Sequence, residues 1–131
     1  MLETLILTAA MASAPAVADM ALPAVMPNRW HDSGHPVWNT APAWIRDFGA
    51  CVRNHESHHN YRAQNRTSTA SGAYQMLAAV WQGNAKWVPA AKKYKKARNA
   101  PPAVQDAVFI HSVTHGGSDN WNGTHCGHGA S

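Results

Sequence analysis

Apolar side chains recur at helical spacing in three parts of the chain. In residues 42–55 they step by three and four positions and so share one face of a helix: Ile45, Phe48 and Val52. Glu56 continues the same step, which predicts a glutamate at the C-terminal end of a core-facing stripe. The helix dipole and the apolar surroundings both disfavour a charged carboxylate there. Thr40 is the predicted N-cap of this helix.

Two further helices follow from the same kind of pattern. The second is predicted to start near Gly72 and to end at residues 83–84, with an apolar face of Tyr74, Leu77, Ala78 and Trp81. The third begins after Asn99 with two prolines in its first turn and stops at residues 116–117. Residues 60–71 are polar and predict a loop or a small hairpin. No segment alternates as a strand does, so the predicted fold class is mostly α, with a small α+β fold as the alternative.

The N-terminal part differs in composition from the rest. Residues 1–18 contain an apolar stretch and end in the small residues Ala16, Val17 and Ala18, as an export signal does. They carry Glu3 but no basic residue, so a loosely packed N-terminal arm is the alternative. The apolar stretch is too short to predict a stable membrane anchor. Residues 19–40 are proline-rich and predict an extended arm that packs through Trp30 and Trp38, and residues 41–131 form the expected domain.

Length and charge limit the number of domains and the possible partners only moderately. The 131 residues fit one domain, and the formal charge of +4 comes partly from a basic run at residues 92–98. Such a run either holds a polyanion or forms the solvated face of a helix. The solvated face is favoured and no nucleic acid is expected as a partner, since no nucleic-acid motif surrounds it. Cys51 and Cys126 either form a bridge that stabilises a small core or remain buried thiols.

Several short motifs occur in an informative order. They are Cys51, Glu56-Ser57, Asn60-Tyr61, Ser71-Gly-Ala-Tyr-Gln75, Trp81, Gln105-Asp106 and Trp121-Asn-Gly-Thr-His-Cys126. Together they resemble the lysozyme-like transglycosylase domains, especially the resuscitation-promoting-factor group of actinobacteria and their phages. The resemblance covers residues 41–126. It implies a compact lysozyme-like domain with one disulfide, Cys51–Cys126.

The resemblance also implies an activity, the cleavage of peptidoglycan glycan strands by a monomer without cofactor. It makes Glu56 the catalytic acid and Ser57, Tyr74 and Gln75 candidates for substrate binding. Trp121 would either stack on a sugar or cover the disulfide. Such a protein would be secreted to the cell wall or associated with a phage virion. A non-catalytic wall-binding or virion structural module of the same fold is the alternative.

A retaining hydrolase needs a second carboxylate about 5 Å from the acid. Only Asp106 and Asp119 follow Glu56 in the chain. Asp106 is predicted in the first turn of the last helix, where it would interact with the helix dipole. A single-acid mechanism, as in lytic transglycosylases, is therefore favoured over hydrolysis.

Residues 55–59 also match the zinc-peptidase motif H-E-x-x-H. That motif needs a helix continuing through His59 and a third ligand, and neither is indicated, so no metal site is predicted and a zinc peptidase is kept as a minor alternative. His58 and His59 stand where members of the resembled group often have glycines. His111 and His115, spaced by four, and His125 and His128 near the terminal cysteine are attributed to packing and hydrogen bonding rather than to metal binding.

Overall fold

The computed structural model describes residues 36–127 and is mostly helical, as predicted. Its α-helices are α1 (Pro36–Asn39), α2 (Ala43–Ser57), α3 (Ala78–Ala85) and α4 (Pro102–Thr114). Short 3₁₀ helices lie at Pro89–Ala91, Ala97–Asn99 and Ser118–Thr124. The signal-like segment, most of the arm including Trp30, and His128 lie outside the described residues.

Helix α4 is the centre of the core. Pro102 occupies its first turn, where the missing N–H of proline costs no helical hydrogen bond. Its side chains are buried on nearly every side, Val104, Val108 and Phe109 completely so. Burial on nearly every side is expected of a helix that the rest of the domain surrounds.

Helix α2 packs its predicted stripe inward. Ile45, Phe48 and Val52 are fully buried, which confirms the face. The N-cap prediction was wrong: Pro42 occupies the N-cap position and no side chain caps the helix. Gly49 lets α1 approach closely, because a Cβ there would lie 2.4 Å from Trp38. Trp38 is thus part of the core, although it precedes the expected domain boundary at residue 41.

The second predicted helix was placed too early in the chain. Residues 71–76 form a turn closed by a bridge between Ser71 and Met76, and α3 begins only at Ala78. Gly72 and Gln75 have φ values of +80° and +49°, which no right-handed helix contains. Leu77 consequently lies at the surface, while Trp81 is buried as expected. The polar stretch before this turn pairs with it through one bridge, Gln64 to Ser71.

The last described residues are tied back to α2. Cys51 and Cys126 form the expected disulfide, with an S–S distance of 2.00 Å. The basic run at residues 92–98 is largely exposed, in line with the solvated face that was favoured. It is made of turns and a 3₁₀ helix rather than one helix. In the described part of the chain, no helix has the length and apolar character needed to cross a bilayer.

Candidate active site at the end of helix α2

Glu56 is the penultimate residue of α2 and lies half-buried at the end of the apolar stripe. Within residues 36–127 its carboxylate makes no hydrogen bond or ion pair. Burial raises the pKa of the Glu56 carboxyl above its usual range, and His55 offsets part of that rise. The carboxyl is therefore biased towards the protonated form and is not engaged by another side chain, which suits a proton donor.

Two left-handed histidines end α2 directly after the glutamate and serine. His58 and His59 have φ values of +53° and +63°, a region that favours glycine. Their N–H groups donate to Asn54 O at 3.2 Å and Arg53 O at 3.1 Å, which closes the helix end. A glycine at either position would adopt this backbone without strain.

The same geometry removes the basis of the zinc motif. A histidine pair spaced by four binds zinc from one helix face, but α2 ends at Ser57 and His59 lies beyond the turn. The His59 Nδ1 atom accepts a hydrogen bond from Arg53 Nε at 3.2 Å. Among the described residues, the one group of three candidate ligands is His55 with Cys51 and Cys126, whose sulfurs are bonded to each other.

Ser57 fastens the turn of residues 71–76 to the end of α2. Its Oγ donates to Ala73 O at 2.7 Å and accepts from Asn60 N at 3.1 Å. With its one proton committed to the backbone, Ser57 positions the turn, and its role in substrate binding stays a prediction. This bond holds Ala73, two residues before Gln75, against the end of α2.

Gln105 holds the other side of that turn. Its Oε1 accepts from Ala73 N at 2.9 Å, and its Nε2 donates to Tyr61 O and Ala100 O. A Cβ on Gly72 would lie 2.5 Å from Gln105 Oε1, so the close approach and the positive φ both require glycine. The sequence motif contained Gln105, but its reach across 32 residues could not be seen from spacing.

A buried polar network lies beneath the turn. Asp106 Oδ1 accepts hydrogen bonds from Tyr61 Oη at 2.8 Å and from Tyr74 Oη at 2.5 Å, and lies 3.9 Å from Arg53 Nη1. Arg53 Nη1 also donates to Tyr74 Oη at 2.9 Å, and the guanidinium covers the Trp38 ring at 4.5 Å. All these side chains are buried, so the charges are paired where water cannot reach them.

This network corrects two predictions. Tyr74 is only 2% exposed and its hydroxyl is fully engaged, so it supports the turn and offers no surface to a sugar. Burial raises the pKa of Tyr74 well above its usual range, which keeps the hydroxyl neutral as a donor. Asp106 is a buried acceptor in the network rather than a dipole partner at the helix start. Asp119, in contrast, is exposed on the last 3₁₀ helix.

Trp121 and Gln75 border a small depression of about 60 Å³ that also includes Leu77, Val80 and Asn120. Trp121 is 3% exposed, donates from Nε1 to Tyr74 O at 2.8 Å and packs on Phe109. Its ring face is thus used in the core, and stacking on a sugar does not fit it. Gln75 is half-buried and its amide donates to Gly72 O at 3.0 Å, which leaves its side-chain oxygen as the acceptor of this depression.

The fold and the site together define a small, disulfide-closed helical domain with a half-buried acid at a helix end. Comparison with known proteins finds relatives described as probable transglycosylase SceD in several strains of Staphylococcus aureus. The protein of strain bovine RF122 / ET3-1 is 39% identical over 77 residues, which are 59% of this chain and 32% of that protein. The protein of strain Newman is 39% identical over 70 residues, 53% of this chain and 29% of that protein.

These relatives make the chain similar to transglycosylases over part of its length. The chain spans about a third of the length of the curated relatives it matches. No family model matches the sequence. No solved structure matches it either.

Proposed function

We propose that this chain cleaves the glycan strands of peptidoglycan as a lytic transglycosylase, with Glu56 as its general acid and base. The observation that carries the proposal is the unpaired, half-buried Glu56 carboxyl, whose pKa is raised by burial. The likeness to proteins described as probable transglycosylases supports the same class of reaction.

In the proposed reaction, the protonated Glu56 gives its proton to the bridging oxygen as the bond from that oxygen to the sugar C1 breaks. The carboxylate then takes the proton of the sugar's own 6-hydroxyl, and that oxygen bonds to C1. The product is a 1,6-anhydro sugar, no water is consumed, and the glutamate ends in its starting state. One carboxyl is sufficient for both proton transfers.

The surrounding contacts support this single-acid scheme. Asp106 is bound by two tyrosine hydroxyls and faces Arg53, so it is not available as a second carboxylate. Ser57 and Gln105 hold the turn that carries Gln75, which we assign to binding a sugar hydroxyl or acetamido N–H. Asp119 is the remaining candidate for a second acid and defines the hydrolase alternative.

The test is digestion of purified peptidoglycan by the oxidised protein, with the soluble products identified by mass spectrometry. Anhydro-muropeptides are expected, and Glu56→Gln should lower their release by at least roughly 10²–10⁴-fold. Asp47→Asn, at an exposed position on the same helix, is the matched control and should leave the rate unchanged. Activity should persist with a chelator.

Other products would lead to other conclusions. Reducing-end sugars that disappear in both Glu56→Gln and Asp119→Asn would establish a hydrolase. Binding without any glycan product would indicate a wall-binding or virion structural module. Release of free amines that a chelator abolishes would establish the zinc peptidase instead.

We also propose that the protein acts outside the cytoplasm, at the cell wall or as part of a phage virion. The signal-like residues 1–18 and the disulfide support this, because disulfides persist in oxidising compartments. The mass of the mature protein tests the secreted form, which should begin at Asp19. A mature protein that retains Met1 would favour release by a route without this signal.

A further inference from the structure

One side of α3 is partly open to solvent and has an exposed large apolar side chain next to each end of the helix. Val80 and Asn84 lie four residues apart on one side of α3, Leu77 and Trp87 lie just before and just after the helix, and Trp81 and Ala85 pack into the core. Leu77 and Trp87, at the two ends, are the exposed large apolar side chains of the described chain, 47% and 66% exposed. The helix between them is about 12 Å long.

Two depressions lie on this face. Leu77 and Val80 border the small one, which also contains Gln75. One turn further on, a groove of about 470 Å³ is lined by Gly83, Asn84, Trp87, His111 and His115. Asn84 Nδ2 donates to Val80 O at 2.9 Å, so the residues that border the two depressions lie one helical turn apart on α3. A chain-like ligand that ran along α3 from the small depression would reach the groove.

The hydrogen bonds around the groove define which groups remain available. Because the Asn84 amide nitrogen is used on Val80, its Oδ1 faces His111 Nδ1 at 3.1 Å and the proton lies on that nitrogen. His115 Nδ1 lies 2.8 Å from the carbonyl of His111, so it also carries the proton. In the neutral form of each ring, the Nε2 atom is thus an acceptor. Burial and the stacked His115, 4.0 Å away, lower the pKa of His111 and favour its neutral form.

We propose that this groove is a distal binding site for the glycan strand, with Trp87 as the platform for a sugar ring. The inference rests on the proposed function and extends it beyond the reacting bond. An exposed indole offers an apolar face to the C–H side of a pyranose, and the imidazole acceptors suit sugar hydroxyls and acetamido N–H groups. Lys86 Nζ, 5.7 Å from the Trp87 ring, places a positive charge beside the groove for the carboxylates of peptidoglycan.

Gly83 provides a variant that separates binding from folding. A Cβ at Gly83 meets no atom within 4 Å, and the residue lies within α3. Gly83→Leu should therefore be tolerated by the fold, and by helix propensity should stabilise it, while its side chain fills the groove. Trp87→Ala removes the platform itself. Lys96→Ala, an exposed change outside the groove, measures how much of the retention comes from nonspecific attraction between the basic run and the anionic polymer.

The experiment measures the retention of the full chain on insoluble purified peptidoglycan, in the Glu56→Gln background so that the polymer is not consumed. Trp87→Ala and Gly83→Leu are each expected to raise the Kd about tenfold or more, and Lys96→Ala less than about twofold. Urea unfolding should show Gly83→Leu at least as stable as its parent.

Each other outcome overturns the inference. An unchanged Kd in both groove variants, or no retention of the parent protein, means that no glycan occupies the groove. A change from dimer to monomer in Trp87→Ala with unchanged retention means that a second copy of the chain covers it. The proposed function is tested separately, by the release of anhydro products from the wild type. Failure of one test therefore does not decide the other.

Discussion

The network around Asp106 is expected to contribute a large part of the stability of the domain. Asp106→Ala removes the acceptor of two buried tyrosine hydroxyls, Tyr61 and Tyr74, and leaves the buried Arg53 without its carboxylate. Hydrogen bonds to charged groups contribute about 1.5–3 kcal/mol each, and breaking a buried ion pair costs about 3–5 kcal/mol. Because these terms share atoms and do not add, the expected loss is about 3–5 kcal/mol.

Urea unfolding of the oxidised protein, followed by tryptophan fluorescence, measures this loss in the free energy of unfolding. Small domains are stable by only about 5–15 kcal/mol, so the variant should unfold at a much lower urea concentration with a similar slope. Asp119→Ala is the matched control at an exposed carboxylate and should change stability by less than about 0.5 kcal/mol.

A second substitution tests the reasoning more closely. Tyr61→Phe should cost about 1.5–3 kcal/mol in the wild type, since it removes a hydrogen bond to a charged group. In the Asp106→Ala background it should cost nearly nothing, because the hydroxyl has already lost its partner. A loss below about 1 kcal/mol for Asp106→Ala, or equal Tyr61→Phe costs in both backgrounds, would refute this account of the core.

Three further outcomes are expected. His58→Gly should raise the free energy of unfolding by about 0.5–1 kcal/mol in urea titration, because it relieves a left-handed conformation, and a loss of stability would contradict the strain. Gly72→Ala should both destabilise the domain and reduce glycan cleavage. The φ of +80° disfavours a side chain, and a Cβ would lie 2.5 Å from Gln105. A variant with the melting temperature and activity of the wild type would contradict this. The raised pKa of Glu56 means that the folded state holds the carboxyl proton more tightly than the unfolded state does. Proton binding by Glu56 therefore stabilises the fold at low pH. This stabilisation is lost as the pH rises from 4.5 through the folded pKa. Relative to Glu56→Gln, the wild type should lose stability over that rise, and its cleavage rate should fall on the alkaline side; parallel stability curves of the two proteins would exclude a perturbed Glu56.

The sequence was informative where local rules decide the structure. The spacing of Ile45, Phe48 and Val52 predicted the buried face of α2, and the prolines before residue 103 predicted the start of α4. Glu56 at the end of the stripe followed from the same spacing. These features depend on residues a few positions apart, which a sequence displays directly.

The turn at residues 71–76 shows where local rules fail. Tyr74, Leu77 and Trp81 have helical spacing, yet the chain turns there because Gln105 and Ser57 bind its backbone from distant positions. The roles of Tyr74 and Asp106 depend on a contact across 32 residues. Long-range hydrogen bonds of this kind leave no periodic signal, so the candidate acid could be predicted while the support around it could not.

The bond between Cys51 and Cys126 also determines what a protease can do to this protein. The exposed loop of residues 64–69 contains Arg66, a site for trypsin, and lies between the two cysteines. A cut there would open the polypeptide without releasing either piece, because the disulfide still joins them. The pieces would remain at a high effective concentration for one another, and a nicked molecule would migrate as one species until it is reduced.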